Sequence, residues 1–502
     1  MDTASNKPAA FPFVLTVLAS LATIAIVWLT LDKSIPLGKV GEWVWNRAEP
    51  PLPSRLLIPA ACMLGYLAVV AMGRAIVGAS GWLAILALPM ILVAGAAVQY
   101  TTIESANHGI DRWPFAVVGK GTSGYFELAI ANPNLRKFMV EYQDWIAKQD
   151  NFHVGTHPPG LFVLNRWVID YFESRPDVTN EVLARIPANF ARSLAEVNSL
   201  SPLSSAQQAA VAGIVALTWF ASLLTIIPIY LLARLGTSPS SALLAAALWP
   251  LVPASPMFLP LSDCLFPLLA ATTILFALWS VETKLSFFAS LAGIVCAIGT
   301  ICSLAFLVVA ALALFALVLS KIVSGKLTVP RLALHLIVFV AGFSLPCIYC
   351  YHKFQQKMIL PVIWMTNAEK HAGFYAAMPR TYLSWIWLNL VEFAVVLGPS
   401  VFTIMLALIV RRKVWAQRTS LHVVFIATTL TLLGLNFSGK NLSEVARLWI
   451  FLTPLFCATT SLVAERIPSR TVAWLVFLLL QFVSFACLCT LVEPLLPIPL
   501  PA

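Results

Sequence analysis

The sequence predicts an all-α polytopic membrane protein with about 13 transmembrane helices and one large external loop that contains juxtamembrane helices. Three observations carry this. First, 60% of the residues are hydrophobic and only 11% are charged, against about 25% charged in soluble proteins. Second, apolar runs long enough to cross a hydrocarbon core recur along the chain, giving a mean hydropathy of +0.86. Third, polar residues are segregated: eleven of the 22 acidic residues fall within 101–206.

The composition also excludes several classes. The net charge of +10 needs no nucleic-acid partner, because Lys and Arg collect in cytoplasmic loops of membrane proteins. The nine cysteines lie mostly in apolar runs and show no zinc spacing. Cys347 and Cys350 form a C-x-x-C inside a span and read as packing residues. Phosphate-binding G-x-x-x-x-G-K-[ST] and G-x-G-x-x-G signatures are missing from the sequence. ATP or nucleotide-sugar chemistry inside the cell is therefore not expected.

Taken in order, residues 1–81 hold the N-terminal spans, 11–31 and 56–75. The first run has no small-residue cleavage site, so it reads as a retained helix. Residues 82–100 form the span leading into the polar segment, 101–206. Within it, Leu135, Phe138, Met139, Tyr142 and Trp145 recur at helical spacing behind Asn134, a good N-cap. That helix reads as lying on the outer membrane surface, or else packed on a small cap. Leu161, Leu164, Trp167, Val168 and Tyr171 continue a second stripe, and a third helix is expected at about 178–196. Residues 207–502 are a helical region with short external loops, its spans at 207–233, 240–260, 263–281, 285–302, 303–322, 331–351, 383–410, 421–438, 447–464 and 471–492. The cluster Arg411-Arg412-Lys413…Arg418 sets the cytoplasmic side, and Arg74, Arg234, Lys321, Lys326, Arg331, Arg466 and Arg470 join it. The N-terminus is then cytoplasmic. The 101–206 loop, the turn 260–263, the loop 353–382 and the loop 438–447 are external.

Those external segments hold the candidate chemistry. N-F-H-V-G-T-H-P-P-G at Asn151–Gly160 carries His153 and His157, with Thr156 as a possible cap for a helix opened by prolines. Free N–H groups at a helix start favour anions; the plain alternative is a helix start anchoring a loop. Glu104 and Asp111 follow the third span, where a carboxylate can act as general base or be a solvated loop charge. Asp263 stands alone between two apolar helices, as a helix cap or as a binding or metal residue. In G-K-N-L-S-E-V-A-R-L-W, Gly439–Trp449, Glu444 and Arg447 share a helix face. They form a surface ion pair or, since Arg447 enters an apolar helix, a phosphate site with Lys440. Glu369, Lys370 and His371 read as solvated.

This pattern resembles the GT-C class of polytopic glycosyltransferases that use polyprenyl-phosphate-linked sugars. It also looks like a bacterial subset with a T-H-P-P-G element, here Thr156–Gly160, and a G-x-x-x-E-x-x-R-L-W-like element, here Gly439–Trp449. The loop follows the third span where the class places it after the first, so residues 1–75 read as an added helix pair. The resemblance implies inverting sugar transfer on the external face of the plasma (inner) membrane. Asp111 or, second, Glu104 would deprotonate an acceptor hydroxyl. His153, His157, Lys440, Glu444, Arg447 and Asp263 would bind substrate, with Asp263 orienting the acceptor or holding a divalent cation. The implied partners are a polyprenyl-phosphate-linked sugar donor, a lipid or glycan acceptor and membrane lipids. A transporter or flippase of a lipid-linked glycan is the first alternative, disfavoured because spans 4–9 are almost free of polar residues at mid-depth. An external acyl or phosphoethanolamine-type transferase, with His157 as base, is the second.

Overall fold

The fold is read from a computed structural model, which describes residues 10–107, 109–151, 153–411, 414–415, 418–467 and 470–495, and only the backbone of Ala10, His153, Ser324 and Arg470. Arg412 and Lys413 of the predicted basic cluster lie outside the described residues. The chain is a multi-pass helical membrane protein. Ten helices among the described residues are long and apolar enough to cross a membrane, and eleven if the bent pair Tyr382–Leu397 and Pro399–Val410 counts as one. Two shorter apolar stretches, Ser286–Cys302 and Ile450–Ala464, fall at two further predicted spans.

The breaks have local causes. The run 285–322 divides at Ser303, whose backbone is extended, between Ser286–Cys302 and Ala305–Ser324. The predicted single span 383–410 turns by 116°. Pro399 has no N–H and disfavours helical backbone at Gly398, which sits at φ 88°. Gln481 caps both broken ends: its amide N–H donates to Leu397 O (2.9 Å) and its Oε1 accepts from Ser400 N (3.1 Å). A freed backbone group inside a membrane protein needs such a partner.

Two stretches are inner elements. Pro239–Met257 is 94% buried over its apolar window, and every residue from Trp449 to Ala464 is buried. Both are uncharged and mostly apolar on every face, the pattern of a helix surrounded by protein. The outer faces belong to helices such as Phe11–Leu31 and Val329–Lys353, which expose Trp28, Ile337 and Leu345.

Among the described residues, the 101–206 segment forms seven helices, Arg112–Val118, Tyr125–Ala131, Leu135–Ala147, His153–Thr156, Gly160–Glu173, Pro176–Arg185 and Ala188–Leu200. Asn134 caps the third, accepting from Lys137 N (3.0 Å). Its apolar face does not lie on a membrane. Phe138, Met139 and Tyr142 are buried in the protein, with Phe138 4.8 Å from Phe162. The second stripe is corrected too. Leu161, Phe162, Asn165, Arg166, Ile169 and Phe172 are buried, while Trp167 and Tyr171 face outward. Arg166 is held inside by Asp170 and Glu173. The helix expected at 178–196 is two helices, because Pro187 breaks it.

Contacts sort the connecting segments into two ends. At one end, Asn107 donates to Glu49 O (2.8 Å), Arg112 pairs with Glu493 (2.9 Å), Tyr382 donates to Phe437 O (2.8 Å) and Leu442 N donates to the Tyr375 hydroxyl (3.1 Å). At the other, Lys326 pairs with Glu282 (2.7 Å), Ser238 donates to Glu465 (2.6 Å) and Arg411 lies 3.2 Å over the Phe11 ring. The segments assigned from sequence to the outside meet at the first end.

Candidate functional site

The candidate site is built where three loops of the first end converge. Gly439 ends helix Ser420–Ser438 in the left-handed conformation (φ 62°), the usual glycine stop. The chain then passes two further left-handed residues, Ser443 (φ 81°) and Glu444 (φ 55°), before the short turn Val445–Leu448. Non-glycine residues there cost on the order of 1–3 kcal/mol each, so surrounding bonds must hold them. Helix Tyr382–Leu397 supplies those bonds. Asn389 donates to Asn441 O (3.0 Å) and accepts from Ser443 N (3.2 Å), and Glu392 accepts from Ala446 N (2.8 Å). Trp449 donates to Asn441 Oδ1 (3.2 Å).

This strained turn presents Arg447. Its side chain is 16% exposed and pairs with Glu444 at 3.3 Å, while its Nε has no hydrogen-bond partner in the protein. Burial works against its charge, but Glu444, Asp263, Tyr125 and Tyr375 outweigh it, so the guanidinium stays charged. Asp263 reaches this place from the short 3-10 turn Ser262–Leu265, whose N-cap is Leu261, so capping is not its role. Tyr125 is buried beside it. Burial, then the Asp263 charge, push its phenol well above the ordinary tyrosine value, and it stays a neutral donor.

The histidine turn arrives from the other side. His157 stacks edge-on against Tyr125, with ring centroids 5.9 Å apart. It does not open a helix as expected. Thr156 closes the short helix His153–Thr156, its Oγ1 3.1 Å from His157 Nδ1, and the next helix starts at Gly160. Each proline disfavours helical backbone in the residue before it, so helix resumes only after the second. Gly160 is required by contact: a Cβ there would meet Ile301 O at 2.6 Å. The side chain of His153 lies outside the described residues.

Helix Leu360–Ala377 ties the two loops together; Glu369 is exposed, as its solvated reading has it, but Lys370 and His371 are drawn into the protein. Asn367, fully buried, donates to Gly155 O (2.9 Å) and His157 O (3.2 Å). Lys370 donates to Gln149 O. His371 stacks on Tyr375 (5.5 Å), and burial, with His157 and Lys440 nearby, holds its pKa below the usual histidine value. Lys440 itself is exposed. Arg447, His157, His371 and Lys440 thus surround a site that also holds Tyr125, Tyr375, Asp263 and Glu444.

Glu104 and Asp111 form a separate pair. Glu104 Oε1 accepts from Asn189 (2.5 Å), Asp111 is close enough for their charges to repel, and Arg55 is in reach. Glu104 Oε2 and Asp111 Oδ1 are buried without partners. None of the interactions that gather around Arg447 includes them. The two places are linked through their elements: helix Ser205–Leu224 packs against both Arg112–Val118 and Ser262–Leu265, and helix Tyr125–Ala131, which carries Tyr125, packs on Arg112–Val118. Sequence reasoning passed over Tyr125, Asn367, Tyr375, Asn389 and Glu392. Only Asn389 and Glu392 carried a signal, as polar residues inside an apolar run.

No known protein family and no curated protein matches the chain. Among solved structures it is similar to the oligosaccharyltransferase of Archaeoglobus fulgidus in complex with zinc and sulfate, at 13% identity and a TM-score of 0.47, over 80% of this chain and 53% of that one. It is also similar to the archaeal oligosaccharyltransferase AglB of A. fulgidus in complex with an inhibitory peptide and a dolichol-phosphate, at 12% identity and a TM-score of 0.48, over 82% and 56%. The chain spans about half the length of these structures.

Proposed function

We propose that the protein is a membrane-embedded GT-C-like glycosyltransferase that takes a sugar from a polyprenyl-phosphate-linked donor and passes it to an acceptor hydroxyl at the external face. The observation that carries this reading is Arg447. A charged, largely buried guanidinium with an unpartnered Nε, grouped with His157, His371, Lys440 and two tyrosine hydroxyls, suits a phosphate. The acceptor oxygen forms a bond to the anomeric carbon as the bond from that carbon to the phosphate oxygen breaks, with inversion. The hydroxyl proton passes to Asp111, with Glu104 as the second candidate, and polyprenyl phosphate leaves. Arg447, Lys440 and His157 stabilise the charge that develops on the leaving phosphate, and His153 belongs to the same turn. Glu444 orients Arg447. Asp263 orients the acceptor or holds a divalent cation.

The test is transfer from a radiolabelled polyprenyl-phosphate sugar by the purified protein in detergent, with the anomeric configuration of the product determined. Labelled product with inverted configuration supports the reading. Movement of intact lipid-linked sugar across a vesicle without transfer would make the protein a transporter.

A further inference from the structure

The end of the bundle opposite the Arg447 site carries a pair of cations with no acid between them. Arg411 closes helix Pro399–Val410, and Arg466 follows the buried stretch that ends at Ala464. The two guanidiniums come from segments far apart in the chain, yet stand close enough to repel. Burial, then the Arg466 charge, work against the charge on Arg411, and no acid offsets them. Among the described residues, the acids of this end are engaged elsewhere: Glu282 with Lys326 and Ser420, Glu465 with Ser238.

Neither guanidinium has its hydrogen bonds filled. Arg411 lies 3.2 Å over the Phe11 ring, a contact that uses the face of the group and leaves its N–H edge. On that edge, Nη1 is shut off from water and has no partner in the protein. Arg466 is exposed, and its side chain reaches Val414 O only at 3.5 Å. That carbonyl is already taken by His422 Nε2 (2.9 Å), which carries the ring proton because Nδ1 accepts from Thr419 N (3.2 Å). Topology requires only that basic residues lie in the loops of one side, where water solvates them. It does not require two of them to converge, or a donor to be closed off from water.

The surroundings define the anion that fits. Helices Ala10–Leu31, Pro399–Val410 and Arg470–Leu491 pack on one another. At this end they expose Phe13, Val14, Ile409, Val410 and Val472. Val410 adjoins Arg411, and Phe13 lies two residues from the ring on which that guanidinium rests. An anion held by the pair thus has bare apolar surface beside it. Guanidinium forks match phosphate oxygens, and basic pockets at helix ends attract the headgroups of anionic lipids. A zwitterionic headgroup fits less well, because its ammonium would face the second guanidinium.

We propose that Arg411 and Arg466 form a binding site for the phosphate of an anionic phospholipid, with its acyl chains along helices Ala10–Leu31 and Pro399–Val410. The site is independent of the reaction proposed above and lies at the other end of the bundle.

The experiment uses the full chain in detergent micelles and a phosphatidylglycerol with a photoreactive diazirine in its acyl chain, with adducts mapped by mass spectrometry. Adducts are expected on 11–17 and 406–411. Unlabelled phosphatidylglycerol should displace the probe at about tenfold lower concentration than phosphatidylcholine, the effect of one charged hydrogen bond. Inorganic phosphate should not displace it. Arg411→Gln combined with Arg466→Gln should erase the preference. Arg466→Gln alone, at an exposed position, should weaken it, and Lys321→Gln, at the same end, should leave it intact. Equal displacement by the two lipids in the parent protein would overturn the proposal, as would displacement by inorganic phosphate or adducts spread evenly over the lipid-facing helix Val329–Lys353. So would an unchanged preference in Arg466→Gln, which decides the matter even if the double variant does not fold.

Discussion

Arg447 is the residue on which the chemistry turns, because its guanidinium is paid for by the fold: two left-handed residues precede it and a neighbouring helix holds them by side chains. Losing a charged hydrogen bond to a buried phosphate costs about 1.5–3 kcal/mol, roughly ten- to a hundredfold. Arg447→Ala is therefore expected to lower the donor-dependent rate by that factor, and Arg447→Lys to recover it in part, since Lys keeps the charge but not the fork. Steady-state kinetics with varied donor checks this. His371 gives a pH signature. Its folded pKa is depressed by burial and by His157 and Lys440, so between that value and the unfolded value of about 6.5 the unfolded chain binds more protons. The stability it contributes is full above about pH 6.5 and declines as the pH falls towards the depressed folded value. A thermal-melting series against pH should show this slope, and His371→Asn should flatten it.

At the scale of elements, the hairpin Gly38–Lys39 and Trp43–Val44 is latched by Glu42, whose carboxylate accepts from Thr381 N (2.8 Å) and Trp385 Nε1 (2.7 Å) and pairs with Lys39 (2.6 Å). Burial raises its pKa, but the bonds from Lys39, Thr381 and Trp385 outweigh that and hold it at about 2. The latch is present above the unfolded value of about 4.3 and is lost as the pH falls through about 2. Glu42→Ala should raise hydrogen exchange in 38–47 at neutral pH, an effect the parent protein should not show down to pH 4. Element positions were legible in the sequence where apolar length decided them: each predicted span falls on helical structure, though 240–260 and 447–464 are runs of several short helical pieces. The bend at Gly398 was written in Gly398-Pro399 but is hidden within a continuous apolar run. The stripe on Gly160–Glu173 was misplaced because Arg166, buried on its two acids, breaks the rule that charge faces out. The ties from Asn367, Asn389 and Tyr375 were illegible, since nothing local marks a partner far along the chain.

At the scale of the whole molecule, the loops assigned to the outside meet at one end and the basic loops at the other, and this arrangement has a direct chemical consequence. Asn180, exposed in the long loop, and Lys284, exposed at the opposite end, lie on opposite faces of the bundle. Asn180→Cys should react with an impermeant maleimide in intact cells, while Lys284→Cys should react only after permeabilisation. The reverse pattern would place the Arg447 site in the cytoplasm. The same arrangement holds the acids Glu104 and Asp111 and the cations around Arg447 in separate clusters, linked through helices Ser205–Leu224 and Tyr125–Ala131. An acceptor with its donor sugar would have to bridge them. Asp111→Asn is accordingly expected to abolish transfer while leaving donor binding unchanged. The measurement that tests the central claim most directly is a cryo-EM map of the protein in nanodiscs with decaprenyl phosphate. The account predicts phosphate density within hydrogen-bond distance of Arg447, beside the stacked pair Tyr125 and His157; phosphate density anywhere else in the protein, with the Arg447 guanidinium closed onto Glu444 alone, would contradict it.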